Sequence, residues 1–268
     1  MISMRYCTTR GASCQIEQST FLRAAAGKWG RMPGAMSVPI RAPVRALIFD
    51  FDGLLVDTET PAFESWRRIY AEHGMELSLA LWKDALGTAH GFDALAHLEA
   101  QVAAGLDRAA VRARRQRLKH ELSEPQLLLP GVLSILDEAE ALGLPCSVAS
   151  SSGRAWVMGW LERHDIARRF VCVRTAEDVV RTKPDPELFL SAAACMGVPP
   201  EVCLVFEDSP NGILAARAAG MRCVAVPGAI SGQIALPPAD LVLRGLDAMP
   251  LRGILAALAG DRRQRSKR

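Results

Sequence analysis

Val44-Arg45-Ala46-Leu47-Ile48-Phe49-Asp50-Phe51-Asp52-Gly53 decides how this chain is read. The apolar run ending at Phe49 is short and is followed closely by a glycine, so it reads as a buried strand. Strand residues i and i+2 share a face. Asp50 and Asp52 therefore emerge together at the carboxyl end, where open α/β sheets bind ligands. Two acids side by side are costly unless a metal or a proton compensates them. One can attack as a nucleophile while its neighbour moves protons. Taken alone, the quartet reads equally well as a turn or a helix-capping aspartate.

Downstream, Thr60-Pro61 opens a helix, and residues 60–128 read as helical throughout, with helices at Ser78–Leu86, Phe92–Val102 and Asp107–Leu122. The last of these carries Arg108, Arg112, Arg114, Arg115, Arg117 and Lys119. A solvated face is the default for such a run, with steering of an anionic substrate as the alternative. From Leu129 the pattern alternates. Helices at Val132–Leu142, Ala155–His164, Pro186–Met196 and Asn211–Ala219 are interleaved with strands at Pro145–Ala149, Val171–Val173, Val202–Phe206, Cys223–Val226 and Asp240–Leu243. That rhythm specifies α/β architecture, a doubly wound (Rossmann-like) parallel sheet with a helical block inserted after its first strand.

The chain has 268 residues, half of them hydrophobic, enough to bury a sizeable core. No apolar run approaches the ~18 residues of a membrane span. Charge is uneven: residues 1–35 carry +4, residues 261–268 carry +4, and 36–260 carry −5. Basic ends of this kind are ordinarily solvated termini, so nucleic acid is not an expected partner. Met36 is a plausible true start. The seven cysteines lack metal-like spacing and an odd count suggests reduced thiols, which points to the cytoplasm.

Three further strand ends carry polar residues. Ser150-Ser151-Ser152-Gly153 precedes a helix, where hydroxyls and N–H groups hold anions, although serine is also a common cap. In Thr182-Lys183-Pro184-Asp185-Pro186 the prolines fix an extended approach that can aim Lys183 inward. Glu207-Asp208-Ser209-Pro210-Asn211-Gly212 repeats the first pattern. Its acids face opposite sides, and one of them can join Asp50 around Mg²⁺, with Asp208 or Ser209 as the cap otherwise. Together the four sites supply what phosphoryl transfer requires: a nucleophile, an acid/base, a cation and oxyanion donors.

This ordered set resembles the haloacid dehalogenase-like hydrolase superfamily, in its subgroup containing phosphoglycolate phosphatase and β-phosphoglucomutase. The matching residues are Asp50–Glu59, Ser150, Lys183-Pro184 and Glu207–Gly212, within a likeness spanning residues 44–244. The resemblance implies an α/β core at 43–59 and 129–247 and an all-helical cap at 60–128. A 1–42 extension and a 248–268 helix with a basic tail flank them.

It implies Asp50 as the nucleophile giving an aspartyl-phosphate, Asp52 as acid then base, and Lys183 offsetting charge. Mg²⁺ would be held by Asp50, Asp208, the Asp52 carbonyl and, mainly from outside, Glu207. Ser150 and Ser151 would bind phosphate, and Thr88 and His90 would select the substrate. The expected activity is hydrolysis of a small phosphorylated metabolite, most plausibly a sugar phosphate, by a monomer or weak dimer. A phosphosugar mutase is the first alternative, but mutase relatives carry a histidine where Ala62 stands here. A non-catalytic binding protein is the second, and the full set of Asp50, Asp52, Lys183 and Asp208 argues against it.

Overall fold

Four apolar residues, Ala46–Phe49, form β1 at the centre of the sheet in the computed structural model, which describes residues 42–88, 91–102 and 105–260. β2 (Cys146–Ala149), β3 (Cys172–Arg174), β4 (Cys203–Glu207), β5 (Arg222–Ala225) and β6 (Leu241–Val242) complete it. All pairings are parallel and the order is β3-β2-β1-β4-β5-β6. The order reverses at β1, which puts the ligand crevice beyond its carboxyl end, beside β2 and β4.

Successive β1 residues feed opposite cores, as a pleated strand buried on both faces must. Leu47 and Phe49 join Leu204, Phe206 and Val148 on one side, where Phe49 and Phe206 stack at 4.9 Å. α5 (Val132–Ala141), α6 (Arg154–Arg163) and α9 (Leu251–Gly260) cover that side. Ala46 and Ile48 face the other, under α7 (Glu187–Cys195) and α8 (Pro210–Ala218).

Between β1 and α5 lie α1 (Glu59–Glu72), α2 (Leu79–Trp82), α3 (Ala94–Glu99) and α4 (Arg108–Ser123). They enclose a third core built on Ile69, Tyr70, Trp82, Leu86, Leu98 and Leu118. The two strands of chain entering and leaving this block touch at Val56 and Leu128. No described helix is long and apolar enough to cross a membrane.

Two helices are shorter than their sequence pattern suggests. The 78–86 segment keeps α2 only to Trp82 and finishes as a 3-10 turn before Gly87, whose φ is +71°. The 92–102 segment forms a helix only over Ala94–Glu99, starting two residues later than Phe92 because the Asp93 carboxylate accepts from the Ala96 N–H and caps α3. The expectation of reduced thiols fails at one pair. Cys172 on β3 and Cys195 at the end of α7 form a disulfide, with Cα atoms 6.6 Å apart. Only folding brings them within reach, and cysteine usage therefore no longer argues for a reducing compartment. Cys146, Cys203 and Cys223 are free and buried.

Candidate active site

Asp50 leaves β1 still paired to the sheet, its N–H donating to the Phe206 carbonyl at 3.0 Å. Its carboxylate is buried and accepts from Lys183 Nζ. The same ammonium donates to Glu207 Oε1 at 2.7 Å, so one lysine ties the ends of β1 and β4 together. Lys183 arrives from the loop between β3 and α7 through a cis peptide to Pro184, and its Nζ lies 4.8 Å from the Phe189 ring centroid.

Glu207 Oε2 accepts from the Ser209 N–H at 2.8 Å and its hydroxyl at 2.9 Å. Ser209 Oγ in turn accepts from the Gly212 N–H at 3.1 Å and caps α8. The serine takes the capping role, and Asp208 is left to the crevice. Asp208 Oδ2 accepts from Ser231 Oγ at 3.1 Å, while its Oδ1 is buried without a partner. Gly53, at φ +82°, is required here because a Cβ would collide with the Asp208 carboxylate.

Oxygens of Asp50, Glu207 and Asp208 lie within 4.8 Å of one another. Burial pushes the Asp50 carboxyl up to about 8, with Lys183 pulling against that and the charges of Glu207 and Asp52 adding to it. Burial, then the charges of Glu207 and Asp50, hold Asp208 well above the carboxylate range. Burial also opposes the Lys183 ammonium, but Asp50 and Glu207 outweigh it and raise the lysine above its ordinary value. One lysine does not compensate three buried acids. The all-oxygen donors and the unpartnered Asp208 Oδ1 fit a hard divalent cation.

Asp52 sits apart from this cluster and accepts four hydrogen bonds. Thr58 Oγ1 (2.6 Å) and Trp156 Nε1 (2.9 Å) reach Oδ1; Ser152 Oγ (2.6 Å) and Ser150 Oγ (3.2 Å) reach Oδ2. Thr58 precedes α1, yet its hydroxyl caps nothing and goes to Asp52. Asp50 and Asp52 both line a cavity of about 120 Å³ with Thr88, Ser150 and Ser151.

The candidate residues Asp50, Asp52, Ser150, Ser151, Lys183, Glu207, Asp208 and Thr88 thus converge, while His90 lies outside the described residues. The serine cradle differs in detail from the expectation. Ser151 Oγ donates to the Gly87 carbonyl at 3.0 Å, and the first-turn Arg154 N–H is taken by the Glu177 carboxylate at 3.0 Å. The serine hydroxyls at this end thus all donate within the protein, Ser150 and Ser152 to Asp52 and Ser151 to Gly87.

Sequence reasoning missed Trp156, and it named Ser152, Glu59, Arg115 and Lys119 only within longer runs, without singling them out as site residues. The basic pair sits at i, i+4 on α4, a spacing that marks one helix face. Arg115 and Lys119 line a larger cavity of about 560 Å³ with Trp66, Trp82 and Glu59. Burial and the Asp52 charge raise Glu59 to about 8, with Lys119 opposing them. Nothing in a single sequence marks the indole of Trp156 as a partner of Asp52.

A family model described as haloacid dehalogenase-like hydrolase matches residues 47–226. The chain belongs to this family. It is 42% identical over 213 residues to the protein YhcW of Bacillus subtilis (strain 168), covering 79% of this chain and 96% of that one. Hexitol phosphatase A of Escherichia coli (strain K12) is 32% identical, with 76% of this chain and 92% of that protein covered. A crystal structure of a haloacid dehalogenase-like protein from Agrobacterium tumefaciens superposes with a TM-score of 0.66 at 28% identity, covering 81% and 99%. Gly87 and Thr88 of the helical block line the crevice beyond β1 together with Asp50 and Asp52.

Proposed function

We propose that the protein is a Mg²⁺-dependent phosphoric monoester hydrolase acting on a small phosphorylated metabolite through an aspartyl-phosphate at Asp50. The observation that carries this reading is the Asp50–Lys183–Glu207–Asp208 cluster, with the separately held Asp52 beside it. Asp50 and Asp208, with the Asp52 carbonyl and Glu207 close by, would hold Mg²⁺. The ion supplies positive charge beside the phosphoryl oxygens.

An Asp50 oxygen attacks phosphorus as the bond to the leaving oxygen breaks, and Asp52 gives that oxygen a proton. Asp52 then takes a proton from water. The water oxygen bonds to phosphorus, and the Asp50 carboxylate is released with inorganic phosphate. Lys183 stays on Asp50 throughout and offsets the charge that gathers there. Ser150, the Ser151 N–H and Ser152 face the phosphoryl oxygens. The helical layer over the crevice, residues 60–128, acts as the cap, and Thr88 reaches into the cavity from it.

A sugar phosphate is the substrate class we favour, in keeping with hexitol phosphatase A among the relatives. Ala62 supports hydrolysis over phosphosugar transfer. It lines the larger cavity and presents only a methyl group where mutase relatives have an imidazole to manage the intermediate. Phosphate release from a panel of sugar phosphates and from p-nitrophenyl phosphate, with Mg²⁺ and with excess chelator, tests the function. Release that needs Mg²⁺ is expected. Release unaffected by chelator, or net isomerisation of a hexose 1-phosphate without free phosphate, would overturn it.

Trp156 is a positioning residue on this account. Trp156→Phe keeps the ring but removes the indole donor to Asp52. The expected result is a fall in kcat of about tenfold, the size of a charge-assisted hydrogen bond, at unchanged KM and melting temperature. A kcat within twofold of wild type would remove Trp156 from that role.

A further inference from the structure

The basic residues of α4 have different fates. Arg114 pairs with Glu72 at 3.0 Å and Arg108 with Glu99, while Arg112 and Arg117 are exposed. Arg115 and Lys119 instead line the 560 Å³ cavity. Among the described residues neither has a carboxylate within ion-pair distance, and Arg115 Nε is buried without a hydrogen-bond partner. Each lies over an aromatic face: the Arg115 guanidinium 5.5 Å from the Trp66 centroid, and Lys119 Nζ 4.1 Å from that of Trp156. Such faces hold a cation in place without neutralising it.

Two of the three acids on the same cavity are already engaged: Asp52 accepts its four donors and Asp93 caps α3. Burial lowers both cations below their ordinary values. An arriving anion reverses that penalty, so these positions reward negative charge more than a solvated lysine would. The cavity also has the volume of a site for a sugar-sized group.

We propose that Arg115 and Lys119 form a second anion subsite, and that the substrate is a phosphomonoester whose leaving group ends in a carboxylate or a second phosphate. The inference rests on the phosphatase reading and narrows its substrate class.

Three probes share a six-carbon sugar frame and differ at the far end: glucose 6-phosphate (neutral), 6-phosphogluconate (carboxylate) and glucose 1,6-bisphosphate (second phosphate). At least one anionic-tail probe is expected to exceed glucose 6-phosphate in kcat/KM by about 30-fold or more, the worth of a charge-assisted contact in a partly dry site. Which one does so identifies the anion. In the double variant Arg115→Gln, Lys119→Gln that advantage is expected to collapse to about threefold or less, with Lys119→Arg keeping most of it. A wild-type preference for the neutral tail, or an advantage that survives in the double variant, overturns the subsite. Equilibrium binding of the same probes to Asp50→Asn protein reads the ratio without turnover. A chain that binds anionic tails selectively but never releases phosphate therefore refutes the phosphatase reading and leaves the subsite standing.

Discussion

Asp50→Asn is expected to lower Mg²⁺-dependent turnover of p-nitrophenyl phosphate by at least about a thousandfold, because it removes the attacking oxygen's charge and nucleophilicity together. The same change is expected not to destabilise the metal-free protein at neutral pH. The Asp50 carboxyl is raised from 3.8 to about 8 by burial, so an ionised carboxylate there opposes folding. The amide is nearly isosteric, and Lys183 keeps Glu207 as its partner. A melting temperature equal to or above wild type, with activity lost, separates a functional group from a structural one. Near-normal turnover in Asp50→Asn would remove the residue from the nucleophile role.

Lys183→Met carries the largest structural penalty. Lys183 is buried and is the hydrogen-bonding cation of both Asp50 and Glu207. Taking one partner from a buried ionic cluster costs about 3–5 kcal/mol. For a folded region of this size that is a fall of roughly 10 °C in melting temperature. The pH dependence has a definite sign. Acids whose folded pKa is raised bind protons more tightly when folded. Their unfavourable contribution therefore grows as pH rises from the unfolded value, 3.8 for Asp50, through the folded value of about 8. Because Asp50 keeps its proton below about 8 even beside the lysine, the deficit of Lys183→Met is expected to be larger at pH 9 than at pH 6, when measured by denaturant melts without metal. An equal deficit at both values would show that the lysine acts through packing alone.

The parts of this site that were legible in the sequence are those fixed by strand ends. An apolar run ending in Asp50 and another ending in Glu207-Asp208 place acids at the same sheet edge by topology alone, because parallel strands present their carboxyl ends together. Lys183 was legible through its flanking prolines. What could not be read depends on tertiary direction. Arg115 and Lys119 have the composition of a solvated face, and only the packing of α4 over the crevice turns them inward. Ser209 and Asp208 were equal candidates for the cap until the Gly212 N–H chose the serine. The Cys172–Cys195 pairing joins a strand to a helix 23 residues later, and no spacing rule announces it.

The most direct test of the central claim is a rapid acid quench during turnover of a phosphorylated substrate with Mg²⁺, followed by mass spectrometry of the peptides. The account predicts a hydroxylamine-labile phosphoryl group on the peptide carrying Asp50, present in wild type and missing from Asp50→Asn. A phosphoryl group located on a serine or histidine instead, or robust turnover with no phosphorylated peptide at any quench time, would contradict it.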